Sequence, residues 1–347
     1  MIPTYRYRVK SKPGELAKQA RAVNYVWNFC NESQKSAIRL GKKWLTGYDL
    51  DALTSGTSKD LGLLSGTINA TCHQYAKSRR QHKRPYLRFR GRKSLGWVPI
   101  KSEYFKQTET GFRFNGKDYR VFLSRPIPGR IRDGSNFSQD ARGRWYLNLV
   151  VEVQDAPRRK VRRLVGIDLG LKDLAVLSTG QKIEAPQNYR RLEPRLAVAQ
   201  RARKKRAVAS IRAKAANCRR DFLHKASTQI VRDFDSIAVG NVNPSKLAKT
   251  KMAKSVLDAG WSSFRSMLAY KAIMHGVRYE EVNENHSTQA CSRCGCLPDG
   301  RPEGIAGLRI RTWTCAECGA VHDRDVNAAR NILFGSGRRA LAVGASL

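Results

Sequence analysis

Cys291, Cys294, Cys315 and Cys318 form a C-x2-C pair, a gap of twenty residues, and a second C-x2-C pair. That spacing suits four thiolates around one tetrahedral zinc, which leaves no open coordination position and so reads as a structural ion. A redox role fits this spacing less well, and Cys296, two residues past a ligand, reads as a spare thiol. Two carboxylates stand out around this unit. Asp168 closes the apolar run Leu164-Val165-Gly166-Ile167, and Asp325 opens a helical stretch directly after the second cysteine pair. Phosphodiester hydrolysis by two Mg²⁺ needs carboxylates converging from separate elements on ions about 3.5–4 Å apart. An Asp at the carboxyl end of a buried strand stands where open α/β sheets build their ligand sites. Taken alone, Asp168 is equally well a turn residue before Gly170, and Asp325 equally well a helix N-cap. A zinc ribbon beside an acidic residue on a very basic chain points to an enzyme that cuts nucleic acid.

The elements that must position these residues can be read from periodicity. Residues 3–9 alternate as a strand, and Gly14 to Leu40 turns helical through Leu16, Ala20, Val23, Val26, Trp27 and Cys30. A second helix is expected over Gly66 to Arg80, and residues 103–153 alternate as a small antiparallel barrel or sheet broken by Gly-Lys-Asp and Asp-Gly-Ser turns. The linker Asp155 to Lys160 marks the main domain boundary. Beyond it come the strand ending at Asp168, a hairpin partner over Leu174 to Ser178, and a long helical stretch from Tyr189 to Lys225. A buried strand over Ser236 to Asn241, an amphipathic helix over Val256 to His275 and a strand over Val277 to Glu284 follow.

The chain has 347 residues, enough for two or three domains. Its 66 Lys and Arg against 28 Asp and Glu leave a formal charge of +38, which would self-repel without a polyanion. Nucleic acid is therefore the expected partner, bound with salt-sensitive affinity. Residues 79–93 hold eight basic residues, among them Arg79, Arg80, Lys83, Arg84, Arg88 and Arg90, interleaved with Tyr86 and Phe89 and followed by Trp97. These aromatics suit base stacking, although half-buried core positions are the commoner explanation of them. The stretch 189–225 carries thirteen basic residues, including Lys204, Lys205, Arg206, Arg220 and Lys225, against Glu193 and Asp221 alone. A solvated helical hairpin is the plain reading of it, and the imbalance favours a nucleic-acid-facing surface. Met1 to Lys12 lacks the apolar core of a signal peptide, no apolar run approaches about 20 residues, and Cys30, Cys72 and Cys218 are scattered singly. The expectation is a prokaryotic protein of the reducing cytoplasm, associated with the nucleoid and not with membrane.

Together, Gly166-Ile167-Asp168-Leu169-Gly170-Leu171-Lys172, Asp323-Arg324-Asp325-x-Asn327-Ala328-Ala329, and the intervening Ser287-Thr288-Gln289-x-Cys291-Ser292-x-Cys294-Gly295 and Arg220 to Lys225 segments make a split pattern. With the basic Lys83-Arg84-Pro85-Tyr86 region, the chain resembles the TnpB family of transposon-encoded RNA-guided DNA nucleases, relatives of the type V CRISPR effectors. The likeness is strong over about 163–333 and looser before. It implies a mixed α/β and β fold: a wedge-like β-barrel over 1–10 and 81–157 with an inserted helical recognition part over 11–80, then a RuvC (RNase H-like) domain. That domain would run over 158–290, with the zinc ribbon at 291–320, a last helix at 321–334 and a flexible basic tail at 335–347 containing Arg338 and Arg339. It further implies a guide RNA from the transposon end, cleavage of matching double-stranded DNA beside a short flanking motif, and a single protein copy in the RNA complex.

One position departs from the family. Where its second RuvC motif ends a strand in Glu, this chain reads Ile237-Ala238-Val239-Gly240-Asn241. Glycine binds no metal, so the chain is either a nuclease-inactive RNA-guided DNA-binding protein or has moved the carboxylate. A guide-independent transposase accessory is a third reading. Glu284 is the expected replacement, because a parallel neighbouring strand ends on the same edge about 4.8 Å away. Asp168, Glu284 and Asp325 would then hold Mg²⁺, with Glu281 and Asp258 as weaker substitutes, Glu281 pointing to the opposite face.

Overall fold

The structure is a computed structural model describing residues 2–242, 253–303, 307 and 309–335. The chain forms two compact units, one over Ile2–Val153 and one from Gln154 onward. The expected tail beyond Gly335, with Arg338 and Arg339, lies outside the described residues. Among the described residues no helix is long and apolar enough to cross a membrane.

In the first unit, strand β1 (Thr4–Val9) leads into helix α1 (Pro13–Arg39), where Pro13 occupies the first turn and costs no hydrogen bond. Helices α2 (Gly47–Leu53), α3 (Ser58–Leu61) and α4 (Ser65–Gln81) follow; α2 and α3 are too short to show a period in sequence. Strands β2 (Trp97–Pro99), β3 (Phe105–Thr108), β4 (Gly111–Phe114), β5 (Lys117–Phe122), β6 (Arg130–Gln139) and β7 (Trp145–Glu152) complete a seven-stranded antiparallel sheet in the order β2-β6-β7-β1-β5-β4-β3. The sheet curls, for Phe105 on one edge strand reaches Phe137 of β6 with ring centroids 6.3 Å apart. Leu16, Val23 and Val26 of α1 and Tyr75 of α4 share one apolar core with Tyr7, Phe112, Phe137 and Leu147 of the sheet.

Segment 87–90 has no strand partner and is strapped to α1 by side chains. Asn31 donates to Leu87 O and accepts from Leu87 N (both 2.8 Å), and Asn28 does the same for Arg90 at 2.8 and 2.7 Å. Each carboxamide thus satisfies a backbone peptide that a sheet would otherwise pair.

The second unit is built on a five-stranded sheet in the order β10-β9-β8-β11-β12. Its strands are β8 (Leu164–Leu169), β9 (Asp173–Leu177), β10 (Lys182–Glu184), β11 (Ser236–Gly240) and β12 (Arg278–Val282). The central β8, β11 and β12 run parallel, while β9 returns antiparallel to β8. The basic stretch is a pair of helices, α5 (Asn188–Arg201) and α6 (Lys205–Asp233). The helix expected over 256–275 is two, α7 (Ala253–Ala259) and α8 (Trp261–Met274), because Gly260 adopts φ 69° between them. A short hairpin, β13 (Thr312–Thr314) and β14 (Val321–Asp323), leads into helix α9 (Arg324–Leu333). Helix α9 lies against β8 so closely that a side chain at Gly166 would meet Ala329 O at 2.0 Å. Only glycine permits that approach, and it fixes where α9 begins.

Candidate active site

Asp168 stands next to last on β8, and its parallel neighbour β11 ends at Gly240, paired with Val282 at the end of β12. The third strand stops two residues earlier than expected, and Glu284 follows it in a loop where Ser287 N–H donates to Glu284 O at 3.0 Å. The side chain of Glu284 folds over Gly240. A Cβ at position 240 would lie 2.6 Å from Glu284 Oε2 and 3.4 Å from its Cβ. The carboxylate thus occupies space that glycine leaves open, and the Val242 N–H donates to it.

Asp325 comes from the opposite direction, in the first turn of α9. The N-cap of that helix is Asp323 and not Asp325: Asp323 Oδ1 accepts from the N–H groups of Asp325 and Val326, both at 3.0 Å, and Lys182 Nζ sits 2.7 Å from its other oxygen. Capping is therefore discharged by a neighbour, and the Asp325 carboxylate is free for other work. Arg324 Nε and Nη2 donate to Asp325 Oδ1 at 3.0 and 2.8 Å, and Arg311 Nη1 donates to Oδ2 at 2.9 Å. Arg324 is further held by Gly307 O at 3.2 Å.

Asp168 feels both of the other carboxylates. Burial, then the charges of Asp325 and Glu284, push the Asp168 carboxyl up to about 7, opposed by Arg324. Burial likewise raises Glu284, against the pull of Arg265 and the Val242 N–H. Burial beside like charge makes Asp168 and Glu284 part of a candidate cation site. Glu281 is committed elsewhere, to Arg265 at 3.1 Å and Tyr279 OH at 3.0 Å, and Asp258 accepts from Tyr189 N–H at 2.9 Å. Sequence reasoning gave no role to Arg311, which has no local signal, or to Arg324 and Asp323, which stand inside a motif whose second Asp drew the notice.

The four cysteines converge. Cys291 and Cys318 sulfurs lie 3.6 Å apart, Cys294 and Cys315 3.7 Å apart, and all four ligand atoms fall within 4.8 Å of one another, a cluster that could hold a metal ion. Cys296 stays outside it and is exposed. Among the described residues no other group is so tight, so the carboxylates are spread more widely than the thiols.

The basic candidates divide. Arg80, Lys83, Arg84, Arg88, Lys204, Lys205, Arg206, Arg220 and Lys225 are exposed, as are Tyr86 and Phe89, with Lys35 Nζ 5.4 and 4.4 Å from those rings. Arg79 is not a surface residue. It is 3 % exposed and bonded to Gln34 Oε1 and Leu45 O inside the helical layer. Arg90 lies between Trp27 (3.8 Å) and Trp97 (5.2 Å), and burial lowers it to about 10. Trp97 is half-buried in β2 and packs on the core.

The second unit is therefore of the class that gathers acidic residues at the carboxyl edge of a mixed sheet, beside a four-thiol cluster that could hold a metal ion. The comparisons are specific. Residues 148–251 match the family model "Probable transposase" (OrfB_IS605), and residues 261–332 match "Cas12f1-like, TNB domain". A putative RNA-guided DNA endonuclease of Streptomyces pristinaespiralis is 40% identical over 225 residues, 60% of this chain and 54% of the relative. The putative RNA-guided DNA endonuclease InsQ of Escherichia coli (strain K12) is 28% identical over 273 residues, 67% of this chain and 66% of that one. The chain thus spans just over half to about two thirds of the length of these relatives. A solved Cas12f1–sgRNA–target DNA complex is similar at a TM-score of 0.42 and 14% identity, covering 97% of this chain and 100% of that one. The resemblance to TnpB proteins is borne out by these family models and named relatives.

Proposed function

We propose that this protein is an RNA-guided DNA endonuclease of a transposon, cutting guide-matched double-stranded DNA beside a short flanking motif. The relatives named RNA-guided DNA endonucleases support the reaction class. The observation that carries the reading in this chain is Glu284 lying over Gly240, with its charge and that of Asp325 both felt by Asp168. The second unit is then a RuvC (RNase H-like) domain whose third carboxylate has moved one strand over.

The donor sets fit the implied ions. Three carboxylate residues at a sheet edge are hard oxygen donors of the kind Mg²⁺ takes. Their spread suits two ions, since no single ion needs every carboxylate. Bound there, Mg²⁺ would supply activation of the attacking water and stabilisation of charge on the phosphate oxygens. Asp168 must give up its proton to bind, which burial and the charges of Asp325 and Glu284 hold back until about pH 7. Arg324 holds Asp325 in place, while Arg311, more than half exposed, reaches the same carboxylate from solvent and can offer its remaining donors to a phosphate. Sulfurs 3.6–3.7 Å apart match the edge of a tetrahedron with Zn–S bonds of about 2.3 Å, so zinc is the structural ion proposed for the ribbon.

The partners proposed are a guide RNA from the transposon end and the target duplex, held by the exposed arginines and lysines of segment 80–93 and helices α5 and α6. Tyr86 and Phe89 are the exposed stacking candidates. We place the complex, with one protein copy, at the nucleoid of a prokaryotic cytoplasm. A nuclease-inactive DNA-binding protein is the second reading, favoured by Gly240 itself. Incubating the protein–RNA complex with matched DNA and Mg²⁺ decides between them. Cutting that is lost in Glu284→Gln supports the enzyme, and an intact target bound with guide specificity supports the second reading.

A further inference from the structure

The segment joining Glu284 to the first cysteine pair is held by two asparagines of α9. Asn327, 1 % exposed, accepts from Ser292 N–H at 2.9 Å through Oδ1 and donates to Ala290 O at 2.8 Å and Ser287 O at 3.3 Å through Nδ2. Asn331, one turn on, donates to the same two carbonyls, both at 2.7 Å. Ser292 lies between Cys291 and Cys294, and Ser287 N–H donates to Glu284 O. One buried carboxamide therefore touches the first knuckle of the ribbon, the loop that carries Glu284 and the helix that carries Asp325.

A second line of contacts runs in parallel. His322 Nε2 is 3.0 Å from Cys291 Sγ, and Arg324 N–H donates to Arg311 O at 2.8 Å, just before β13. Both guanidinium groups on the Asp325 carboxylate are anchored in this region, Arg311 by sequence and Arg324 through Gly307 O. Among the described residues the Asp325 carboxylate is bonded by Arg311 and Arg324.

We infer that Asn327 is a positioning residue through which metal occupancy of the cysteine knuckle sets the placement of Glu284 and Asp325. The inference rests on the reading of those residues as divalent-ion ligands. Without its ion the knuckle loses the turn that presents Ser292 N–H, since such small units fold only around their metal. The carboxamide then loses its acceptor contact, and a half-satisfied buried polar group no longer fixes the loop. The zinc ribbon would thus assemble the magnesium site, beyond holding itself together. Asn327→Asp is a sharp probe because it keeps shape and the Ser292 contact while turning two donors into an acceptor facing two carbonyls.

The test uses the full-length chain stripped of nucleic acid at high salt, with Mn²⁺ as the probe read by electron paramagnetic resonance. Zinc content is measured by atomic absorption. Wild-type protein should bind Mn²⁺ in a manner that Asp168→Ala abolishes. Asn327→Asp should keep one zinc per chain and weaken Mn²⁺ binding roughly ten- to hundredfold, the usual effect of losing an outer-shell partner. Removing zinc from wild type should weaken Mn²⁺ by a similar factor, and removing it from Asn327→Asp should add little, because one coupling cannot be lost twice. Asn331→Asp, placed on the same carbonyls, should give a milder version and serves if the first variant does not fold. Mn²⁺ binding that needs Asp168 but ignores both zinc and Asn327 overturns the coupling. Mn²⁺ binding indifferent to Asp168 would instead sink the site reading on which it rests.

Discussion

Gly240→Ala is the smallest change that tests whether Glu284 works from its present place. The added methyl would sit 2.6 Å from Glu284 Oε2 and 3.2 Å from Ile332 Cδ1. Comfortable non-bonded separation is about 3.5 Å, so the carboxylate must retreat by nearly 1 Å. Overpacking of this kind costs roughly 1–3 kcal/mol of stability, whereas misplacing a reacting group by about 1 Å costs on the order of a hundredfold in rate. The expected result is a folded protein, slightly less stable, whose complex cuts about a hundred times more slowly. Gly240→Glu alone should be worse, because two carboxylates would compete for one volume. Combining it with Glu284→Ala should recover activity relative to Gly240→Glu by returning the carboxylate to β11. Single-turnover cleavage at saturating Mg²⁺, with melting curves alongside, reads each case. Wild-type cutting by Gly240→Ala would refute the reasoning, since Glu284 would then not need the space that glycine leaves.

Three further outcomes are expected. Asp168→Ala and Asp325→Ala should abolish cleavage and leave RNA and target binding nearly intact, measured by filter binding beside the cleavage assay, because the basic surfaces are untouched. Asp168→Asn should stabilise the protein in the absence of Mg²⁺. The folded-state value of about 7 lies above the ordinary 3.8, so folding takes up a proton in that window and wild-type stability falls as pH rises through it. The gain is at most about 4 kcal/mol at pH 8, at 1.36 kcal/mol per pH unit, and melting curves of the two proteins should converge near pH 4. Cys315→Ser should drop zinc content and local stability, and full zinc occupancy in that variant would refute the four-thiolate assignment.

What sequence disclosed here follows from the range over which each signal acts. Cysteine spacing and the strand around Asp168 are local patterns, and α1 carries a 3.6-residue period over many turns, so these were legible. The parallel pairing of β11 with β12 was within reach once both strands were read, because consecutive strands joined by helices commonly run parallel. Side-chain commitments were not legible. Arg79 sits in a run of exposed cations, yet the buried carboxamide of Gln34, distant in sequence, draws it inward. Arg311 became visible only when the hairpin brought it to Asp325. The Asn28 and Asn31 straps explain why segment 87–90 is ordered without a strand partner, something no periodicity could express.

On the proposed reading, the geometry also gives a reason why one carboxylate of the three could change strands while the others are fixed. Asp168 is on a strand flanked on both sides, by β9 and β11. Asp325 is tied to the start of α9, set by the Asp323 cap and by the contact of α9 with Gly166. The third ligand only has to approach along the sheet edge. Gly240 and Val282 stand opposite each other on parallel strands, so a Glu two residues beyond Val282 turns back over Gly240. The exchange needs two conditions, a long side chain on the outer strand and an empty Cβ position on the inner one, and both are met. On that reading the glycine at 240 and the glutamate leaning over it belong together, the one leaving the space that the other's carboxylate takes.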